Sequence, residues 1–125
     1  MSTRDDICNL IAAYAHALDD GRIDDVVALF TADATIDFPG TAICTGADAL
    51  RDQYDQWRPV GPQRHVVVNT RVTDSDAAAA KATSDFLFLT RDSGRWGVSL
   101  VGRYEDELVY DGEAWRFHYR RAIFG

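Results

Sequence analysis

A change of period at His65 constrains this chain most. Before it, apolar residues recur every three or four positions: Ile7, Leu10, Ile11, Tyr14 and Leu18, then Ile23, Val26, Val27 and Phe30, then Leu50, Tyr54 and Trp57. That spacing aligns each set along one side of a helix. From His65 onward apolar and polar residues alternate, which sends every second side chain to the same face of a strand. Three helices followed by a long antiparallel meander make an α+β domain, with the helices covering one face of a curved sheet.

The punctuation fixes approximate boundaries. Thr3-Arg-Asp-Asp6 reads as a capping box and Gly21 as a left-handed stop, so the first helix is expected over 4–20. A second, shorter helix should end before a turn at Thr31-Ala-Asp-Ala34. Short extended pieces are predicted at Thr35–Phe38 and Thr41–Cys44, and a third helix between Thr45-Gly46 and the Pro59–Pro62 segment. The strands follow as Arg64–Thr73, Lys81–Arg91, Trp96–Tyr110 and Glu113–Phe124, separated by Asp74-Ser-Asp76, Asp92-Ser-Gly94 and Asp111-Gly112. Ala77–Ala80 favours helix by propensity, but its place in the meander makes it a strand entry.

At 125 residues the chain has room for one domain, 1–125, with one core. Twenty acidic residues against thirteen basic ones give a net charge of −7, which opposes a nucleic-acid partner because such domains present a basic face. Apolar runs such as Phe86–Leu89 are far shorter than the ~20 residues of a membrane span. Met1-Ser-Thr-Arg-Asp-Asp lacks the pattern of a signal peptide, so a cytoplasmic location is expected. Cys8 and Cys44 lack metal-ligand spacing and read as reduced structural thiols. No metal site is expected.

The run from Tyr14 to Phe38, with Gly102-Arg-Tyr-Glu-Asp-Glu-Leu108 and Gly112-Glu-Ala-Trp-Arg-Phe117, resembles the SnoaL-like domain family of the nuclear-transport-factor-2-like superfamily. The resemblance implies a cone-shaped α+β barrel. This scaffold hosts isomerases, dehydratases, cyclases, hydrolases and non-catalytic binders, so it does not name a reaction. Ketosteroid isomerase, in this superfamily, has a tyrosine at the Tyr14 position, but its base falls at Phe38 and its second acid near Gly102. The dehydratase pattern fits better. Scytalone dehydratase, bile-acid 7α-dehydratase and the hexachlorocyclohexane dehydrochlorinase pair an Asp at the end of helix one with a His opening the first long strand, and Asp19 and His65 are similar in placement. Tyr14 matches the tyrosine five residues before that Asp in the bile-acid enzyme, and Asn69 follows His65 at the dehydrochlorinase spacing.

These residues support a definite chemistry. An imidazole held in one tautomer by a carboxylate can take a proton from carbon at neutral pH. Asp19 would hold one ring nitrogen of His65 and stabilise the imidazolium, while Tyr14 donates to a carbonyl or departing hydroxyl and Asn69 orients the substrate. In a strand His65, Val67 and Asn69 share one face, so Asn69 is expected inside the same cavity as His65. Tyr54, Trp57, Phe38 and Phe86 are expected to bind a hydrophobic small molecule. The resulting expectation is a cofactor-independent lyase or isomerase, dehydratase-like, acting on a cyclic or polyketide-like substrate. A SnoaL-like polyketide cyclase and a non-catalytic ligand-binding or dimerisation module of the same fold are the alternatives.

Blander roles exist for each residue. A lone strand His is more often structural; Asp19 could merely end a helix, although an acid there opposes the helix dipole. Tyr14 sits on the core stripe and could be a packed tyrosine with a satisfied hydroxyl. His16 reads as a surface residue, and His118 as a cavity-lining or dimer-face residue. Arg103, Arg120 and Arg121 need carboxylate partners if buried, for which Glu105 and Asp106 are candidates. The second sheet face, carrying Val66 and Val68, predicts a homodimer. With little chain after Phe124 to form a lid, closure of the cavity is expected from Pro59–Pro62 or a second subunit.

Overall fold

A computed structural model describes residues 2–125. Its elements run α1 (Thr3–Asp19), α2 (Ile23–Ala28), β1 (Phe30–Asp37), β2 (Cys44–Thr45), α3 (Ala47–Gln56), β3 (Gln63–Thr73), β4 (Ala79–Asp92), β5 (Arg95–Tyr110) and β6 (Trp115–Phe124). The strands form one sheet in the order β2-β1-β6-β5-β4-β3, antiparallel except for the parallel pair β1–β6. With three helices against one face, this is the α+β arrangement that the period change predicts and the cone that the family resemblance implies.

The α1 stripe is buried as its spacing requires: Ile7, Leu10, Ile11, Tyr14 and Leu18 face the sheet. They meet Phe30, Ile36, Phe86, Tyr104, Leu108 and Phe117 from the strands in one core. The helix opens one residue earlier than the capping-box reading: Ser2 is the N-cap, and its hydroxyl accepts from the Asp5 amide at 3.1 Å. Thr3 is already helical. A cap of this kind contributes about 1 kcal/mol.

The expected turn at Thr31–Ala34 is part of β1. Phe30 already pairs with Phe117, and the register shifts between Phe30 and Thr35. Polar residues at that irregularity imitate a turn in sequence, while buried Ala34 anchors the strand. Conversely, the second extended piece is only Cys44–Thr45. In the alanine run, pairing begins at Ala79, and Ala80 and Ala82 are buried. The β4–β5 hairpin turns through Ser93 and Gly94, both with positive φ (51° and 78°), the geometry whose twist matches paired strands.

Bulges decide which side chains reach the interior. In β3, Val68 pairs with Asp85 and Arg71 with Thr83, so Asn69 and Thr70 together oppose Ser84. Asn69 takes φ 56° at this bulge. The extra residue reverses the alternation, and Thr70, not Asn69, turns inward to bond the buried Ser84 hydroxyl at 2.9 Å. A second irregularity, between Glu107 and Leu108, leaves His118 without a partner in β5. His118 is exposed and bonds Thr31, so it does not line the interior.

Each of the three arginines has an acidic neighbour. Arg103 bonds Asp85 at 2.7 Å and Arg121 bonds Glu105 at 3.1 Å, both at the surface. Arg120 and Asp106 are different: both side chains are fully buried, with Nε and Oδ1 3.3 Å apart. His16 is exposed, and Cys8 and Cys44 are free thiols. On the outer sheet face Val66, Val68, Val101 and Ile123 are exposed. No helix among the described residues is long and apolar enough to cross a membrane.

Candidate active site

The end of α1 and the start of β3 meet at one carboxylate. Asp19 Oδ1 lies 2.7 Å from His65 Nδ1, and Oδ2 accepts the His65 backbone N–H at 2.7 Å. Gln63, two residues earlier on the same strand face, donates its side-chain amide to Oδ1 at 3.0 Å. An acid at a helix C-terminus is locally disfavoured, but here it collects three N–H groups from the neighbouring strand. The Asp19 side chain is 4% exposed and that of His65 13% exposed. Burial pushes the Asp19 carboxyl upward, yet the hydrogen bonds from the His65 ring, the His65 amide and Gln63 outweigh it and hold the group below the ordinary carboxylate value.

The consequence is a fixed tautomer. An ionised carboxylate on Nδ1 calls for a proton there, which leaves Nε2 as the basic nitrogen. Nε2 has no hydrogen-bond partner among the described residues.

His65 opens onto a cavity of about 310 Å³. Its walls are Tyr14, Leu18, Phe38, Pro39, Thr41, Trp57, Gln63, Phe86, Phe88, Leu100, Tyr104, Ala122 and Phe124. The rings pair off: Phe38 stacks on Trp57 with centroids 5.4 Å apart, Phe86 on Tyr104 at 4.3 Å, and the His65 ring sits 4.7 Å from Phe88. Such a lining accepts a flat apolar body and offers few polar handles.

Of the residues picked out in sequence, the fold brings His65, Asp19, Tyr14, Trp57, Phe38 and Phe86 to this site. Two lie elsewhere. Asn69 borders a separate groove between α1 and β3, because the bulge turns it outward to donate to Asp85 at 3.1 Å. Tyr54 is fully buried behind Tyr14 and outside the lining; the two hydroxyls are 2.8 Å apart. At the site but not singled out from sequence are Gln63, second donor to Asp19, and Tyr104. Alternation along the strand could have shown that Gln63 shares the His65 face; nothing local marks Tyr104.

Beneath the tyrosines lies the buried pair. The Arg120 guanidinium carbon is 3.5 Å from the Tyr104 ring centroid, 4.1 Å from Tyr14 and 4.5 Å from Phe117. Burial pushes the Asp106 carboxyl up to about 6, against the pull of Arg120. Among the described residues no group of three or more His, Cys, Asp or Glu is arranged to hold a metal ion.

Comparison with known proteins places this geometry. No curated protein matches the chain in sequence at a significant level. Solved structures do resemble it. An NTF2-like protein with a cystatin-like fold from Novosphingobium aromaticivorans is 22% identical, with a TM-score of 0.88 over 97% of this chain and 80% of its own. A provisionally named scytalone dehydratase from the same organism is 22% identical, with a TM-score of 0.86 over 98% of this chain and 83% of its own. A Catenulispora acidiphila protein solved in complex with S-DNPA is 21% identical, with a TM-score of 0.86 over 97% and 92%. At these identities the likeness speaks for the fold. The family model of the SnoaL-like domain matches residues 1–121, and the chain belongs to that family.

Proposed function

We propose that this protein is a cofactor-independent lyase or isomerase that takes a proton from carbon in a hydrophobic cyclic or polyketide-like molecule. The observation that carries the reading is the clamp on His65. Both Asp19 oxygens bind it, one at the ring and one at the backbone, so the imidazole is held in a single orientation and tautomer at an apolar cavity. Nε2 takes the proton as the C–H bond breaks, and Asp19 stabilises the imidazolium. The electron pair moves toward the neighbouring carbonyl oxygen. Return of the proton at another carbon completes an isomerisation; expulsion of a β-hydroxyl, protonated as it leaves, completes a dehydration.

The proton-transfer step can be tested before the natural substrate is known. Exchange of α-protons into deuterium oxide, followed by NMR on bicyclic ketones such as 2-tetralone, reports it directly. His65→Ala and Asp19→Asn should each slow protein-catalysed exchange by on the order of 10²–10⁴, the usual worth of a general base, with circular dichroism unchanged. Equal exchange in wild type and both variants would refute the dyad and favour a binding module. The exposed Val66, Val68, Val101 and Ile123 further support a homodimer across the outer sheet face.

A further inference from the structure

The clamp on His65 uses only half of the Gln63 amide. Its nitrogen donates to Asp19 Oδ1 at 3.0 Å, the same oxygen that faces His65 Nδ1 at 2.7 Å. Asp19 is held ionised, and an ionised carboxylate only accepts, so the amide nitrogen is turned to Asp19 and the carbonyl oxygen away from it. That oxygen, Oε1, has no hydrogen-bond partner among the described residues. Nor is it one of the sealed, unpartnered polar atoms, which belong only to Asp106 and Arg120. Gln63 lines the cavity and is 9% exposed. Its oxygen therefore meets the cavity space.

Two acceptors stand side by side on this wall. Gln63 and His65 share a face of β3, about 6.6 Å apart along the strand, and both are tied to one carboxylate oxygen. Oε1 and Nε2 each keep a lone pair directed away from it. The amide cannot turn over to offer its N–H without giving up Asp19, so this position repels a ligand carbonyl and admits a donor.

Any ligand that fills the cavity strips water from Oε1. If it brings no donor, a buried acceptor is left bare, at a greater cost than an ordinary hydrogen bond repays. Selection by that penalty is the stronger kind of discrimination. The donor is also neutral. No charged residue lines the cavity, and Asp19 has both oxygens engaged on β3, so an ammonium or guanidinium group would be stripped of water without a counter-charge.

We propose that Gln63 is a specificity-determining residue whose amide oxygen receives a neutral O–H or N–H donor of the ligand, carried close to the carbon that faces His65. This rests on the site of the proposed function and names a group that its substrate bears.

The test uses binding alone, so it stands apart from the exchange experiment on His65. Indole and benzothiophene have nearly the same shape, but only indole has an N–H, which donates and does not accept. Their dissociation constants are measured by titration calorimetry on wild type, Gln63→Leu and His65→Ala. Wild type should prefer indole at least about fivefold. Gln63→Leu should lose the preference mainly by binding benzothiophene more tightly, a gain that a damaged fold cannot produce, and His65→Ala should keep it. On wild type alone, NMR should show a nuclear Overhauser contact between the bound indole N–H and the Gln63 γ-protons. A wild type indifferent to the N–H, a preference kept in Gln63→Leu, or the absence of that contact overturns the assignment. Loss of the preference in His65→Ala overturns it as well, by making the imidazole the acceptor. Exchange unaffected in His65→Ala, with the preference lost only in Gln63→Leu, would leave the Gln63 acceptor standing and remove the dyad.

Discussion

Asp19 does two jobs with one carboxylate, because the hydrogen bonds that orient His65 also tie α1 to β3. Its folded-state value lies below that of the unfolded chain, so the stabilisation is present in full above the unfolded value, near 3.8, and is lost as pH falls through the folded one. Asp19→Asn should remove that acid-side component. At pH 7 the variant should be less stable by roughly 1–3 kcal/mol, since a charged acceptor is replaced by an amide that cannot serve three donors. Urea denaturation at pH 7 and pH 3 reads both effects; equal stability of the two proteins at pH 7 would count against the tie. At this scale the sequence was informative only where a resemblance pointed. Asp19 and His65 stand at an element end and an element start, where matching positions can be recognised. Gln63 and Tyr104 take their roles from neighbours 44 residues away on Asp19 and 16 away on Arg120, and no local pattern encodes those meetings.

Elements are where the period argument works and also where it fails. All three helices and the four long strands follow from spacing, since a buried face imposes 3.6 or 2 on whatever covers it. A bulge adds one residue without altering composition, so Asn69 reads as inward when it is outward, and β1 hides behind turn-like residues. Gly102 shows how narrowly the interior of β5 is fitted. A Cβ there would lie 2.4 Å from Phe86 Cζ and 2.9 Å from the Ile123 carbonyl oxygen. Its absence lets the Phe86 ring lie flat across β5 beside Tyr104 and shape the cavity wall. Gly102→Ala should therefore cost about 1–3 kcal/mol, as overpacking does, and push Phe86 into the cavity. Chemical denaturation measures the cost, and weaker binding of benzothiophene would register the narrowed space. An unchanged midpoint would mean that the ring and strand yield freely.

Taken whole, the molecule is a sheet with one face covered by helices and the other showing valines. In register, Val66 pairs with Leu87 and Leu87 with Val101, so the apolar side chains run across three adjacent strands. Light scattering at micromolar concentration should find a dimer, and Val66→Asp with Val101→Asp should give a folded monomer; a wild-type monomer would exclude this use of the face. The parallel β1–β6 pair carries a consequence of another kind, for the order in which the chain can fold. β1 has only two-residue β2 on one side and β6 on the other, so β1 cannot join the meander until Trp115–Phe124 has left the ribosome. Until then Phe30 and Tyr14 lack Phe117, and the cavity lacks Ala122 and Phe124. Long-range closure of this sort slows folding toward the millisecond-to-second range, and the nascent chain must keep its apolar first third from aggregating until its final strand arrives.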